Sequence, residues 1–373
     1  MRIADFALER YFARWEFAVR HVLCASDVES VALHELLALA DDDARRRWSA
    51  LRLGYTESLG LPALREEIAH MHDGASADDV ITFAGAEEGV YLSMHALLQP
   101  GDHAVVVTPA YQSLYEVARS IGADVTLVPL NSSDWSLDID AVLEAMGPRT
   151  RLVTLNFPHS PTGAQLARGD FERLVTAVTA RGAHLFSDEV YRLLEHDPAS
   201  RLPTGASLSD RAISLGVMSK AFGLAGLRIG WIVTRNARLR ARIAALKDYT
   251  TICNSAPSEV LALIGLRARE QLVARSLGII RANLGVVHDF AARNASWFEW
   301  VPPCAGSVCF PRLRHTDADI LAERLAREEG VLILPGSQFD YSPRHFRLGL
   351  GRRDMPEALA RFESFVAANP TLV

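Results

Sequence analysis

Lys220 lies in Val217-Met218-Ser219-Lys220-Ala221-Phe222-Gly223-Leu224-Ala225-Gly226-Leu227-Arg228-Ile229-Gly230, an apolar stretch with a second cation eight residues on. An amine set against apolar chain loses water, desolvation disfavours its charged form, and a neutral amine condenses with an aldehyde to a Schiff base. Pyridoxal phosphate (PLP) is held by proteins in this way, and Arg228 is then placed to meet a phosphate. Most lysines are only solvated surface groups, so the reading rests on what else the chain offers. Gly223, Gly226 and Gly230 do not follow a strand and open a helix, which excludes a dinucleotide fingerprint.

The remaining candidates follow short apolar runs. Gly85-Ala86-Glu87 opens a helical pattern after Val80 to Phe83, and the free N–H groups and positive dipole end of a helix start suit a phosphate. The Glu87 side chain then has to point away. Tyr111 follows Thr108-Pro109 and offers its face to a flat heterocycle or, equally, to a core. Phe157-Pro158-His159-Ser160-Pro161-Thr162-Gly163 is a proline-braced loop that fixes Ser160 as a hydroxyl donor, or is merely a stiff turn. Asp188 emerges from the run His184 to Ser187. A buried carboxylate needs a partner, and a protonated pyridine nitrogen would be one, keeping the ring an electron sink; a helix cap is the alternative. Tyr191, three residues later, can bring its hydroxyl to the same ring. Arg347, inside Phe346-Arg347-Leu348-Gly349-Leu350, suits an amino acid's α-carboxylate because guanidinium grips carboxylate through two parallel hydrogen bonds. A surface salt bridge is its alternative.

The elements that position these residues are legible as alternation. Apolar runs at Val80 to Phe83, Ala104 to Thr108, Val125 to Leu130, Leu152 to Asn156, His184 to Ser187, Ala212 to Leu215 and Ile229 to Val233 are separated by amphipathic segments such as Gly89 to Leu98, Ser113 to Ile121 and Asp170 to Ala180. That pattern predicts a mainly parallel sheet covered by helices, whose ligands collect beyond the strands' carboxyl ends. After about Ala237 helices are expected over Asn236 to Lys247 and Pro257 to Asn294, then strands near Val308 to Arg312, Val331 to Leu334 and His345 to Leu350. The expected organisation is an N-terminal segment, 1–40, packing with the small domain; a large cofactor-binding domain, 41–280; and a smaller α+β domain, 281–373. The segment Arg10 to Phe17 is expected near the site entrance, either packing there or setting specificity.

With 373 residues, 49% hydrophobic and 23% charged, the chain reads as a globular protein with room for a large core. A formal net charge of -6 argues against nucleic acid as the main partner, and the run Arg45-Arg46-Arg47 reads as a solvated helix face. Cys24, Cys253, Cys304 and Cys309 form no Cys-x-x-Cys pair, so neither a disulfide framework nor a metal site is expected, and a reducing cytoplasm fits. No run approaches a membrane span or a signal peptide.

The ordered motifs resemble the fold type I PLP-dependent enzymes, specifically the aspartate aminotransferase-like class I/II aminotransferase family, over nearly the whole chain. Tyr55-Thr56-Glu57-Ser58-Leu59-Gly60-Leu61-Pro62-Ala63-Leu64-Arg65 is similar to the family's N-terminal motif, whose tyrosine reaches the cofactor phosphate of the neighbouring subunit. The resemblance implies an α/β fold: a three-layer α/β/α sandwich around a mostly parallel seven-stranded sheet, a smaller α+β domain, and a homodimer with shared active sites. It also implies that Gly85, Ala86 and Glu87 bind phosphate through their backbone, Tyr111 stacks on the ring, Asp188 pairs with the pyridine nitrogen and Tyr191 donates to the ring hydroxyl. Lys220, beside Ser219, carries the cofactor and moves protons, Arg228 holds phosphate, and Arg347 holds the substrate carboxylate. The chain departs from the family twice: Ser160 replaces the asparagine of Asn-Pro-Thr-Gly, and Val217 stands where a phosphate-binding serine is common.

The reaction this implies moves an amino group from an L-amino acid to a 2-oxo acid. Relatives on the same fold eliminate a β or γ group, decarboxylate, or cyclise an arginine derivative as capreomycidine synthase does. A PLP-binding regulator is the non-enzyme alternative, although only about 50 residues precede Tyr55 and no basic winged-helix pattern is among them.

Overall fold

The computed structural model describes residues 3–372. All seven early apolar runs become strands: β1 (Val80–Phe83), β2 (His103–Thr108), β3 (Asp124–Pro129), β4 (Thr150–Asn156), β5 (His184–Asp188), β6 (Ala212–Val217) and β7 (Gly230–Val233). They form one sheet in the order β1-β7-β6-β5-β4-β2-β3. Strands β2 to β6 pair parallel, and β7 runs antiparallel to both β6 and β1. Successive residues feed opposite faces: Val105 and Val107 join one apolar cluster, Ala104 and Val106 another. Burial on both faces explains why these strands read as apolar runs rather than as alternation.

The register places the chemistry at one edge. Asn156 lies opposite Asp188, Asp188 opposite Leu215, and Val217 and Phe83 both lie opposite Gly230. The carboxyl ends of β1, β4, β5 and β6 therefore open on the same side, where a crevice forms in open α/β sheets.

Beyond β7, β8 (Phe298–Glu299), β9 (Val308–Cys309), β10 (Arg312–Leu313), β11 (Leu334–Pro335) and β12 (Phe346–Gly349) make two small antiparallel sheets, β10-β8 and β11-β12-β9. The expected strand at Val308 to Arg312 is split because Pro311 has no N–H to donate to a ladder. Of Val331 to Leu334 only Leu334 pairs with β12; Val331 instead bridges His21, and Leu332 N–H donates to the His21 carbonyl at 2.8 Å. The long helix expected over Pro257 to Asn294 is two, Ala256–Arg267 and Arg269–Arg293, meeting at Ala268. Arg267 and Arg269 flank that joint and are tied to Asp41, Asp43 and Glu67, anchors no local periodicity reveals.

The N-terminal segment clasps both parts. Gly349 N–H donates to the Leu23 carbonyl at 2.7 Å, while Ala7 N–H donates to Gln112 Oε1 at 2.8 Å beside the Ser113–Ile121 helix. No helix among the described residues is long and apolar enough to cross a membrane.

Gly230 lets the start of the Ala86–Leu97 helix rest on the sheet: a Cβ there would lie 2.6 Å from Ala86 N and 2.7 Å from the Gly85 carbonyl carbon. Backbone cannot yield as a side chain can. Gly230→Ala should therefore cost about 1–3 kcal/mol of stability, read as a lower denaturation midpoint at constant slope. An unchanged midpoint would show that this contact is not tight.

Candidate active site

At the carboxyl edge of the sheet lies a cavity of about 420 Å³. Ten of the twelve residues singled out from the sequence line it: Ala86, Glu87, Tyr111, Ser160, Asp188, Tyr191, Ser219, Lys220, Arg228 and Arg347.

Its floor is built from β4 and β5. Asp188 closes β5 and is 7% exposed. Its Oδ1 accepts the Val190 N–H at 3.1 Å, and its carbonyl accepts Asn156 Nδ2 at 2.9 Å and Phe157 N–H at 3.1 Å. Asn156 Oδ1 in turn accepts the Ser160 N–H at 2.8 Å, which fixes the proline-braced loop over the strand ends. Burial pushes the Asp188 carboxyl up to about 7; Glu189 adds to this, and the Val190 hydrogen bond and Lys220 oppose it. A carboxylate so placed has room for a cation in front of it.

Lys220 follows β6 and is half-buried. Its Nζ donates to Ser26 Oγ at 2.7 Å and sits 5.5 Å from the centre of the Tyr191 ring. Tyr191 is 4% exposed.

The anion cradle is steric as well as electrostatic. Gly85, with φ +96°, caps the Ala86–Leu97 helix, and a Cβ on it would collide with Nη2 of Arg228. The guanidinium thus lies directly against the helix start, where first-turn N–H groups point outward. Arg228 itself takes a left-handed φ of +49°. The space kept by the missing Cβ, the helix terminus and the cation together fit a phosphate.

On the opposite wall Arg347 of β12 is 3% exposed. Its Nε donates to the Cys24 carbonyl at 3.0 Å, and its guanidinium carbon lies 5.9 Å from the Phe12 ring centre and 5.5 Å from that of Phe339. No carboxylate pairs with it among the described residues. A buried cation without an anion is costly, so this wall is suited to a carboxylate brought by a ligand.

Glu87, Gly85 and Tyr55 take the following places. Glu87 keeps an exposed surface at the cavity rim, and its carboxyl accepts a hydrogen bond from Ser113 Oγ at 3.1 Å; desolvation, with Glu9 and Asp188 adding and Ser113 opposing, raises it to about 7. Gly85 stands behind Arg228 rather than on the cavity wall. Tyr55 is 94% exposed and does not line the cavity.

Asn156, Ser26 and Glu9 line the cavity without having been singled out, while Phe12 and Glu16 come from the Arg10 to Phe17 segment expected near the entrance. Asn156 could have been found as the last residue of its strand. Glu9, Phe12 and Glu16 follow i, i+3, i+7 spacing, one face of a helix, yet nothing local says which body that face meets. Tyr111 shows the result, since its hydroxyl donates to Glu9 Oε1 at 2.7 Å.

Residues 29–362 match the model of the aminotransferase class I and II family. The chain belongs to that family. It is a PLP-dependent enzyme of the class I/II type, and pyridoxal phosphate is its cofactor. It is 33% identical over 365 residues to capreomycidine synthase of Streptomyces vinaceus, covering 96% of this chain and 91% of that protein. It is 30% identical over 326 residues to the arginine–pyruvate transaminase of Pseudomonas aeruginosa, covering 82% and 81%. Among solved structures, a PLP-dependent aminotransferase from Streptococcus suis superposes with a TM-score of 0.92 at 25% identity, covering 100% and 99% of the two chains. The PLP-dependent cyclase OrfR superposes with 0.90 at 27%, covering 99% and 98%.

The raised Asp188 carboxyl has a measurable consequence without cofactor. A carboxyl held above its unfolded value supports folding while protonated and withdraws that support as pH rises through about 7. Between pH 5 and pH 8 the melting temperature of cofactor-free wild type should therefore fall further than that of Asp188→Asn. Parallel curves would contradict the burial of an unpaired carboxylate.

Proposed function

We propose that this protein is an aminotransferase that moves an amino group from an L-amino acid to a 2-oxo acid. The observation that carries the reading is the convergence of Lys220, Asp188, Arg228 and Arg347 on one cavity from three separate parts of the chain. When bound, pyridoxal phosphate supplies an aldehyde that condenses with amines and a ring that accepts the electron pair left at a substrate α-carbon.

The roles of the residues follow from their surroundings. Lys220 Nζ would hold the cofactor's aldehyde and, when free, is the group that would carry the proton from the substrate α-carbon. Ser26 Oγ, in hydrogen-bond contact with Nζ, steadies it. Asp188 holds a proton on the pyridine nitrogen, and this pairing satisfies the carboxylate that burial otherwise penalises. Arg228 and the N–H groups of Ala86 and Glu87, with Gly85 and Ser219 beside them, hold the phosphate. Tyr191 donates to the ring hydroxyl, Tyr111 stacks on the ring, and Arg347 orients the substrate by its carboxylate. Ser160 has a shorter reach than an asparagine and contacts the same carboxylate through its hydroxyl.

The assembly we propose is a homodimer. Leu53, Tyr55, Tyr249 and Ile252 are 86%, 94%, 90% and 52% exposed. Hydrogen bonds from Thr56 Oγ1 to the Asn254 carbonyl and from Ser58 Oγ to Asp248 hold their two segments together as one apolar surface. Thr250, on the same surface, bonds Glu88 beside the cradle, so a partner's Tyr55 would approach a phosphate there. Four unbridged thiols fit a reducing cytoplasm.

A second reading has support of its own: capreomycidine synthase is similar over 96% of the chain and a PLP-dependent cyclase superposes over 99%. In that reading the same residues perform the first proton removal and a later cyclisation or elimination replaces transfer to an acceptor.

Incubation of PLP-loaded protein with amino acids and 2-oxo acids, followed by mass spectrometry, separates the two. Transfer should convert the acceptor to its amino acid in equal amount to donor consumed. Products formed without acceptor consumption would favour the second reading. Lys220→Ala should lower turnover by about 10²-fold or more, and an undiminished rate would remove the lysine from the chemistry.

A further inference from the structure

Five carboxylates line the cavity: Glu9, Glu16, Asp27, Glu87 and Asp188. Asp27 is paired with Arg352 at 2.9 and 3.0 Å, and Glu87 accepts Ser113 Oγ. Asp188 faces the cofactor ring in the function proposed above. Among the described residues Glu9 and Glu16 have no cation. Glu9 accepts only the Tyr111 hydroxyl, and Glu16 has neither an ion pair nor a side-chain hydrogen bond among the described residues. Burial holds the Glu16 carboxyl above its ordinary value, with Asp27 and Glu9 adding to the effect and Arg352 opposing it. The three cations of the cavity, Lys220, Arg228 and Arg347, are taken in the proposed function by amine, phosphate and α-carboxylate.

The geometry relates these acids to the substrate. Glu9, Phe12 and Glu16 share one face of the Ala7–Trp15 helix and its C-cap, with Phe12 between the two acids. Arg347 lies over the Phe12 ring at 5.9 Å. It is 3% exposed and bonded only through Nε, so its terminal nitrogens are without partners among the described residues. An α-carboxylate gripped by them leaves the substrate side chain running along the helix face that carries both acids. A neutral side chain would desolvate those acids without compensation, and an acidic one would be repelled.

We infer that the amino donor is an amino acid whose side chain ends in a cation, held by Glu16 and Glu9 while Arg347 holds its carboxylate. The inference rests on the proposed function for the place of the α-carboxylate. Guanidinium suits the site better than ammonium, since its planar fork can bond a carboxylate twice.

Non-reacting analogues test this apart from amino transfer. Binding of 5-guanidinopentanoate, 6-aminohexanoate, hexanoate and adipate to the PLP-loaded protein is measured by calorimetry. A charge-assisted pairing at a partly open site should make 5-guanidinopentanoate bind about tenfold tighter than hexanoate. Glu16→Gln should abolish most of that ratio, Glu9→Gln part of it, and Glu16→Asp should keep more of it than Glu16→Gln. Tighter binding of 6-aminohexanoate alone supports an ammonium-bearing donor. Equal binding of cationic and neutral analogues, preference for adipate, or a ratio untouched in both glutamine variants overturns the inference. A normal ratio in protein that transfers no amino group would overturn the proposed function and leave standing only the recognition of a cationic side chain by Glu16 and Glu9.

Discussion

A carboxylate at the bottom of a dry crevice has to be given a cation, and the site is organised around that demand. Asp188 ends a strand buried on both faces, its charge opposed only by one backbone N–H and the nearby Lys220. Asn156 and Phe157 fasten its carbonyl and not its carboxylate, so the side chain is held in position without being satisfied. In the proposed function a protonated heterocycle would relieve this cost, and the same contact would keep the ring electron-poor. Stability is given up locally in the empty protein and regained on binding, a pattern common at preorganised sites.

The other walls repeat the theme in opposite sign. Arg347 is buried without an anion among the described residues, and Arg228 is pressed against a helix N-terminus by a glycine that keeps the space open. Each unsatisfied charge corresponds to a group that a PLP-bound amino acid carries. The fold contributes by bringing them together: β1, β4, β5 and β6 end on one side, β12 supplies Arg347 across the gap, and the N-terminal helix closes the remaining wall.

Most of this was legible because it depends on local pattern. Seven apolar runs gave the sheet within one or two residues of each strand, and the rule that ligands gather beyond strand ends pointed to Asp188, Ser160 and Glu87. What the sequence hid was long-range. Ser26 reaches Lys220 across 194 residues of chain, and the N-terminal segment expected near the entrance did not by itself show that Glu9, Phe12 and Glu16 are the side chains it turns to the cavity. The break at Ala268 is flanked by ion pairs to distant acids, and the split strand at Pro311 reflects a missing donor that the apolar pattern concealed. The raised Glu87 carboxyl, at about 7, depends on Glu9 and Asp188, neighbours that lie far away in sequence.

The claim beneath all of this is that Lys220 is the covalent anchor of the cofactor, directly in front of Asp188. Borohydride reduction of the PLP-loaded protein, followed by peptide mass mapping, tests it most directly. The peptide containing Lys220 should carry the added mass of the reduced cofactor, and no other lysine should. An unmodified Lys220 peptide in protein saturated with cofactor, or the label on Lys247, would contradict the account.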